Sequence, residues 1–307
     1  MNASVESWVE SLSSLPNNAI HMKFLDSYLL PGSRIFLHPT TGLVTSEKNL
    51  DQKGVLDYWS NKVFGSNNSL DYSATYPYAI GRMYYVLHSV IRALSGLVNT
   101  NELNLVDFAT GEGVFLEVVK DCLPNSQVRA TEGSHSLSSS LRNKGFDVLN
   151  VGLGIGESAY FDKAEVGTLL WTLSCTLNPF SLLEDVYKAL PENSYLVVAE
   201  SSRVLVPFKK SLSDMFRVDT PADIHPNYFS AKSLVSSLAS CGFQTIYVNR
   251  YFDSDVLLVI SRKVTSPAKS DVFLPADDSR LVWDFFESWH QLTQKEFSKY
   301  QDSIPLV

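Results

Sequence analysis

Only five residues, 250–254, separate the last two apolar extended runs of this chain, and that short connection constrains the fold more than any other feature. Before it, extended and helical patterns alternate. Strands are expected near 104–108, 127–131, 146–151, 166–171, 194–200, 244–249 and 255–261, with helical stretches at about 113–122, 135–144, 180–190 and 231–240. Strand–helix alternation implies a parallel sheet with right-handed crossovers. A parallel crossover needs a dozen residues or more, so five can close only a hairpin. Strand seven is therefore expected to run antiparallel to strand six, in an α/β sheet of seven strands.

The first strand of this alternation carries the most chemistry. Residues 105–115 read Leu-Val-Asp-Phe-Ala-Thr-Gly-Glu-Gly-Val-Phe: an apolar strand with an acid near its end (Asp107), a small-residue turn (Ala109, Thr110, Gly111, Gly113) and an apolar helix. Such a turn lets a ligand lie against the backbone, and in dinucleotide enzymes it holds a pyrophosphate at a helix N-terminus. Asp107 argues instead for a ligand with a positive group. The following strand ends at Glu132, where a carboxylate would grip ribose hydroxyls. Taken singly, the turn fits a plain strand-to-helix connection and Glu132 a solvated charge; in this order they favour a nucleoside ligand.

Composition narrows the partners. The 307 residues carry a net charge of −8 and no block of Lys or Arg, which argues against nucleic acid. No apolar run approaches the ~20 residues that span a bilayer. Glu6 and Glu10 stand where a secretory signal would be basic and then apolar. Cys122, Cys175 and Cys241 lack paired spacing and read as reduced core thiols. A soluble cytoplasmic protein is expected.

Outside the alternating region, residues 4–15 have helical spacing up to Pro16. Extended segments are expected at 28–30 and 34–37, with turns at Pro31-Gly32 and Thr41-Gly42. Residues 80–97 form an amphipathic helix. A tail helix at about 278–300, with Trp283, Phe286, Trp289 and Phe297, is too apolar to stand free and packs on the domain or on a second subunit of a homodimer. Its mixed charges do not make a membrane-binding face.

The topology, with Asp107, Gly111, Gly113 and Glu132, resembles that of class I S-adenosylmethionine-dependent methyltransferases over about residues 80–262. The family's first motif has acid-x-Gly-x-Gly-x-Gly, and Ala109 stands at its first glycine. The resemblance implies a Rossmann-like fold and S-adenosylmethionine bound by Asp107, Ala109, Gly111, Gly113 and Glu132, with Trp171 and Thr172 against the methionine part. Trp171 equally suits a core position. The family's acid after strand three has no counterpart in Leu149-Asn150-Val151-Gly152-Leu153-Gly154.

A narrower resemblance concerns Asp-Thr-Pro-Ala-Asp-Ile-His-Pro-Asn-Tyr-Phe-Ser at 219–230, which looks like the His-x-x-Tyr-Phe-Ser stretch of sugar C-methyltransferases and related glycan methyltransferases. It implies His225 as a catalytic base, although Asp223 and Ile224 replace that group's His and Glu. His225 also suits a loop-orienting role. Relatives carry Glu-His after strand four, where this chain has Ser174-Cys175-Thr176, so no base is expected there. His38-Pro39-Thr40-Thr41-Gly42-Leu43-Val44 resembles the zinc module of those enzymes with His38 and Thr41 at its cysteines, so a metal-free remnant is expected. Tyr72-Ser73 resembles a segment closing over the cofactor. Tyr72, Tyr76, Arg82 and Glu200 are candidate acceptor contacts, Glu200 being equally suited to pair with Arg203.

The expected organisation is a small module (1–75), a cofactor-binding domain (76–262) and a tail with a helix (263–307). The implied function is methyl transfer to a hydroxylated small molecule, a sugar or glycan precursor by the 219–230 resemblance. Alternatives are O- or N-methylation of another metabolite, or a catalytically silent relative that binds a nucleoside or a partner protein.

Overall fold

The computed structural model describes residues 19–29, 33–47, 52–58, 77–152, 158–201, 204, 212, 225–251, 254, 256–265 and 279–301. The expected helix at 4–15, the turn at Pro31-Gly32, and Tyr72 and Tyr76 lie outside them.

Three strands come first in the chain: β1 (Ile20–His21), β2 (Ile35–Leu37) and β3 (Val44–Ser46). The alternating region then supplies β4 (Asn104–Phe108), β5 (Gln127–Thr131), β6 (Asp147–Leu149), β7 (Val166–Leu170), β8 (Tyr195–Ser201), β9 (Asn227–Tyr228), β10 (Phe243–Val248) and β11 (Val256–Lys263). The helices are α1 (Gln52–Tyr58), α2 (Pro77–Leu94), α3 (Val114–Cys122), α4 (His135–Asn143), α5 (Pro179–Ala189), α6 (Ala231–Ser240) and α7 (Ser279–Gln301).

Seven strands form one sheet in the order β10-β11-β8-β7-β4-β5-β6. Strands β4 to β8 are mutually parallel, whereas β11 runs antiparallel to both β8 and β10. The reversal expected from the five-residue connection is present, and the hairpin returns β11 to a place between β8 and β10.

Both faces of this sheet are covered. Successive side chains of a strand point to opposite faces, so Leu196, Val198, Leu257 and Val259 pack with α5 and α6. Val197, Ala199, Leu258 and Ile260 pack with α2 and α3 on the other side. Burial on two faces explains why β8 and β11 read as almost unbroken apolar runs. The local signals that start and stop helices work as expected. Ser230 caps α6 in a reciprocal capping box with Ser233, and Asn178 caps α5, with Pro179 as its first residue.

The remaining strands pair as β1-β2-β3-β9, all antiparallel, joining residues 20–46 to a two-residue strand that lies between β8 and α6 in the chain. Its core holds Met22, Leu25, Ile35, Leu37, Val44 and Tyr228 together with Val282 and Phe286 of α7. The tail helix thus docks within its own chain: the Phe24 and Trp283 rings meet edge-on at 5.1 Å, and Tyr28 Oη lies 3.0 Å from His290 Nδ1. One expectation fails here. Tyr28 ends a 3-10 helix (Lys23–Tyr28) rather than beginning an extended segment. The Leu25 N–H bonds the Met22 carbonyl at 2.9 Å, which turns the chain and buries both apolar side chains in this core.

Candidate functional site

The ends of β4 and β5 are joined by a dense set of hydrogen bonds. Ala109, Gly111 and Gly113 all adopt left-handed backbone conformations, with φ of 55°, 61° and 76°. Ala109 N–H donates to Thr131 Oγ1 (3.0 Å), and Thr110 N–H to the Thr131 carbonyl (3.0 Å). Gly111 N–H donates to Glu132 Oε2 (2.8 Å), and Gly113 N–H to the Thr110 carbonyl (3.2 Å). These amides are engaged inside the protein. A phosphate-binding turn needs such N–H groups pointing at the anion, and these four are turned inward instead.

Two carboxylates lie beneath it, both buried. Asp107 accepts from Thr110 Oγ1 (2.6 Å) and Thr168 Oγ1 (2.5 Å), and burial pushes its carboxyl up to about 6 despite those bonds. Glu132 accepts from Gly111 N–H and from Ser134 N–H (2.7 Å). Burial raises its pKa too, and the nearby Asp107 charge adds to the rise. Neither carboxylate has an ion-pair partner among the described residues. Uncompensated buried negative charge is unfavourable; a ligand bringing a cation would relieve it, and one bringing a phosphate would worsen it. Each carboxylate oxygen accepts at more than one lone pair, so Glu132 retains capacity for ribose hydroxyls. Beyond β6, Asn150 turns its amide onto the carbonyls of Glu132 (2.8 Å) and Gly133 (3.3 Å). That side chain braces the loop after β5.

A second group assembles after β7 and β8, at the same edge of the sheet. Trp171 leaves β7 with φ 55°, and its indole Nε1 is buried with no hydrogen-bond partner among the described residues. The Arg82 guanidinium lies over its ring, 5.7 Å from the centroid, so two residues singled out separately in the sequence stand together. Thr172 is buried, and its hydroxyl donates to the Leu170 carbonyl (3.2 Å). A 3-10 turn (Leu173–Cys175) follows. Glu200, fully buried near the end of β8, accepts from Ser174 N–H (3.2 Å); Arg203, its proposed partner, lies outside the described residues. Asn227 in β9 clamps the turn through the carbonyls of Leu173 (3.0 Å) and Thr176 (2.6 Å).

That clamp places His225 against the turn, with Nδ1 3.0 Å from Cys175 Sγ and 3.4 Å from Ser174 Oγ. The sequence reads Cys175 as a reduced core thiol and places no base in the 174–176 segment. Nothing in the local sequence joins residues 175 and 225. Their contact goes with the Asn227 clamp, which ties β9 to the 3-10 turn.

The stretch at 38–44 keeps a tight hairpin turn. His38 N–H donates to the Leu43 carbonyl (2.8 Å), Gly42 N–H to the His38 carbonyl (2.8 Å) and Thr41 N–H to His38 Nδ1 (3.2 Å), with Gly42 at φ 72°. Burial lowers the pKa of His38. His21 is held by Asp26 at 2.9 Å. No group of three or more His, Cys, Asp or Glu side chains placed to hold a metal ion occurs among the described residues.

Comparison with known proteins agrees at the level of fold. No protein-family model and no curated protein matches this sequence. Among solved structures, magnesium protoporphyrin IX methyltransferase from Synechocystis PCC 6803 with bound SAH is similar over 70% of this chain and 100% of its own, at 13% identity and a TM-score of 0.50. A possible histamine N-methyltransferase from Thermotoga maritima matches 62% of this chain and 98% of its own, at 16% identity and a TM-score of 0.42. Human N-acetylserotonin methyltransferase in complex with SAM matches 68% of this chain and 62% of its own, at 14% identity and a TM-score of 0.44. The chain has the Rossmann-like fold of class I S-adenosylmethionine-dependent methyltransferases.

Proposed function

We propose that this protein is a cytoplasmic S-adenosylmethionine-dependent methyltransferase acting on a hydroxylated small molecule, with a sugar or glycan precursor as the favoured acceptor. The observation that carries the cofactor reading is the β4–β5 edge. A glycine-rich turn with internally engaged amides lies over two buried carboxylates that have no ion-pair partner among the described residues. S-adenosylmethionine meets those requirements, being a nucleoside with ribose hydroxyls, cationic groups and no phosphate. The acceptor reading rests on the 219–230 resemblance.

When bound, the cofactor supplies an activated methyl group on a good leaving group. The remaining work falls to this chain. Glu132 would hold the ribose hydroxyls and Asp107 would balance positive charge, while the residues after β7 would shape the space beside the methyl. His225 would take the proton from the acceptor hydroxyl, a task suited to an imidazole.

Calorimetry separates this reading from a dinucleotide site: S-adenosylmethionine should bind and NAD should not. The base assignment is tested by His225→Asn, which should keep its melting temperature and cofactor affinity while turnover falls ~10²–10⁴-fold. A loss below about threefold would show that His225 only shapes the loop.

A further inference from the structure

We propose that the indole N–H of Trp171 is a binding group for a carboxylate oxygen, the one at the amino-acid end of the cofactor, with the Arg82 guanidinium beside it. The identity of that ligand rests on the methyltransferase reading.

Trp171 carries two unfavourable features at once. Its φ of 55° is left-handed, a conformation that a β-carbon disfavours. Its indole Nε1 is buried with no hydrogen-bond partner among the described residues, and a buried donor left unpaired is costly. Backbone strain and orphaned polar atoms are rare in folded chains, and strain gathers at ligand sites. The position agrees. Trp171 lies two residues past Leu169, whose partner in β4 is Phe108, so it stands beside the glycine turn.

Both backbone groups of Trp171 are engaged within the protein. Its N–H donates to the Ala199 carbonyl at 2.7 Å, and its carbonyl accepts from Cys175 Sγ at 3.2 Å. The apolar body of the side chain packs on the core that α2 and α3 share with the sheet. What remains for a ligand is one indole N–H, which can only donate.

The partner is therefore an acceptor, and the surrounding charge selects its kind. The Arg82 guanidinium lies over the indole, 5.7 Å from the ring centroid, and favours an anionic oxygen. Across the turn stand the buried carboxylates of Asp107 and Glu132, which favour a cation. The sheet order β7-β4-β5 puts Trp171 and Glu132 at the ends of strands two places apart, a span of about 10 Å. That is the reach from a ribose to the far end of an amino acid linked to its 5′ carbon. S-adenosylmethionine seated with its ribose at Glu132 carries its sulfonium over the turn and its carboxylate to β7. Because Nε1 is shielded, the oxygen reaches it as the long Arg82 side chain shifts across the ring.

The test is calorimetry on the full chain with S-adenosylmethionine and with its decarboxylated analogue, which keeps the nucleoside, the sulfonium and the amine. Wild type should bind S-adenosylmethionine about tenfold or more tighter than the analogue, the usual worth of a hydrogen bond to a charged group. Trp171→Phe keeps an aromatic ring and loses the N–H. It should weaken S-adenosylmethionine about tenfold and the analogue less than about twofold. Equal losses for the two ligands, or no loss, would overturn the proposal and leave Trp171 as packing. Should Trp171→Phe not fold, nitrogen–proton NMR of the wild type decides. Among the five tryptophan indoles, that of Trp171 should move downfield with S-adenosylmethionine and hold still with the analogue. Movement with both, or with neither, overturns the proposal. A wild type that binds neither ligand removes the methyltransferase reading itself, and this subsite with it. An indole signal that ignores S-adenosylmethionine but responds to glucuronate and not to glucose, with S-adenosylhomocysteine present, would overturn the cofactor assignment in favour of an acidic acceptor.

Discussion

Ala109 sits in a left-handed conformation that a β-carbon makes unfavourable by roughly 1–2 kcal/mol. Glycine there would remove that strain but widen the unfolded ensemble, which takes back about 0.4–1 kcal/mol. Ala109→Gly should therefore stabilise the protein, by up to about 1.6 kcal/mol, and raise its urea midpoint with an unchanged slope. Glu132 behaves differently, because its two oxygens hold the amides of Gly111 and Ser134. Truncation to alanine would orphan both, so Glu132→Gln, which keeps one acceptor oxygen, is the cleaner variant. It should weaken S-adenosylmethionine about tenfold, in line with the ~1.5–3 kcal/mol of a charge-assisted hydrogen bond, as measured by calorimetry. At this scale the sequence displayed residue types and withheld partners. Asp107 and Glu132 were visible as strand-end acids. That Asp107 is met by Thr168 depends on the pairing of β4 with β7, more than sixty residues away in the chain.

Elements were more legible than contacts. The seven strands of the large sheet fall close to the positions that alternation and turn residues mark, because each is a local pattern of burial on one face or two. Of the small sheet only β2, expected at 34–37, and the turn at Thr41-Gly42 were legible: β1 and β9 have two residues each, too short for any period to show. The junction of α3 with α4 offers a test of packing between elements. A β-carbon on Gly113 would stand 2.3 Å from Leu141 Cδ2, and the φ of 76° adds backbone strain. Gly113→Ala should destabilise the protein by about 2 kcal/mol or more, summing the left-handed penalty with overpacking. Adding Leu141→Ala should relieve the clash and leave the strain, so the pair should be non-additive in a double-mutant cycle.

For the whole molecule, the buried Asp107 links folding to pH. Its carboxyl titrates at about 6 when folded, against an ordinary value of 3.8 when the chain is unfolded. The folded state holds the proton more tightly, so this contribution is fully present below about 3.8 and is lost as pH rises through about 6. The span is worth about 3 kcal/mol at most, from ~2 pKa units at 1.36 kcal/mol each. In denaturant titrations across that window, Asp107→Asn should lack the slope that wild type shows. A cationic ligand reverses the preference, so S-adenosylmethionine should bind more tightly as pH climbs from about 5 toward 7.

The join between β3 and β9 has a consequence for how the chain comes into being. Thr45 and Asn227 meet across 182 positions, and α7, still further along, seals the same core. Contacts this distant in sequence close slowly, since the loop must be ordered before the pairing rewards it. During synthesis, residues 20–46 must wait on the ribosome for most of the polypeptide to emerge, with Met22, Ile35 and Val44 unsheltered meanwhile. The histidine proposed to do the chemistry lies two residues from the strand that ends this wait, so maturation of the site comes late, when the last helix is made.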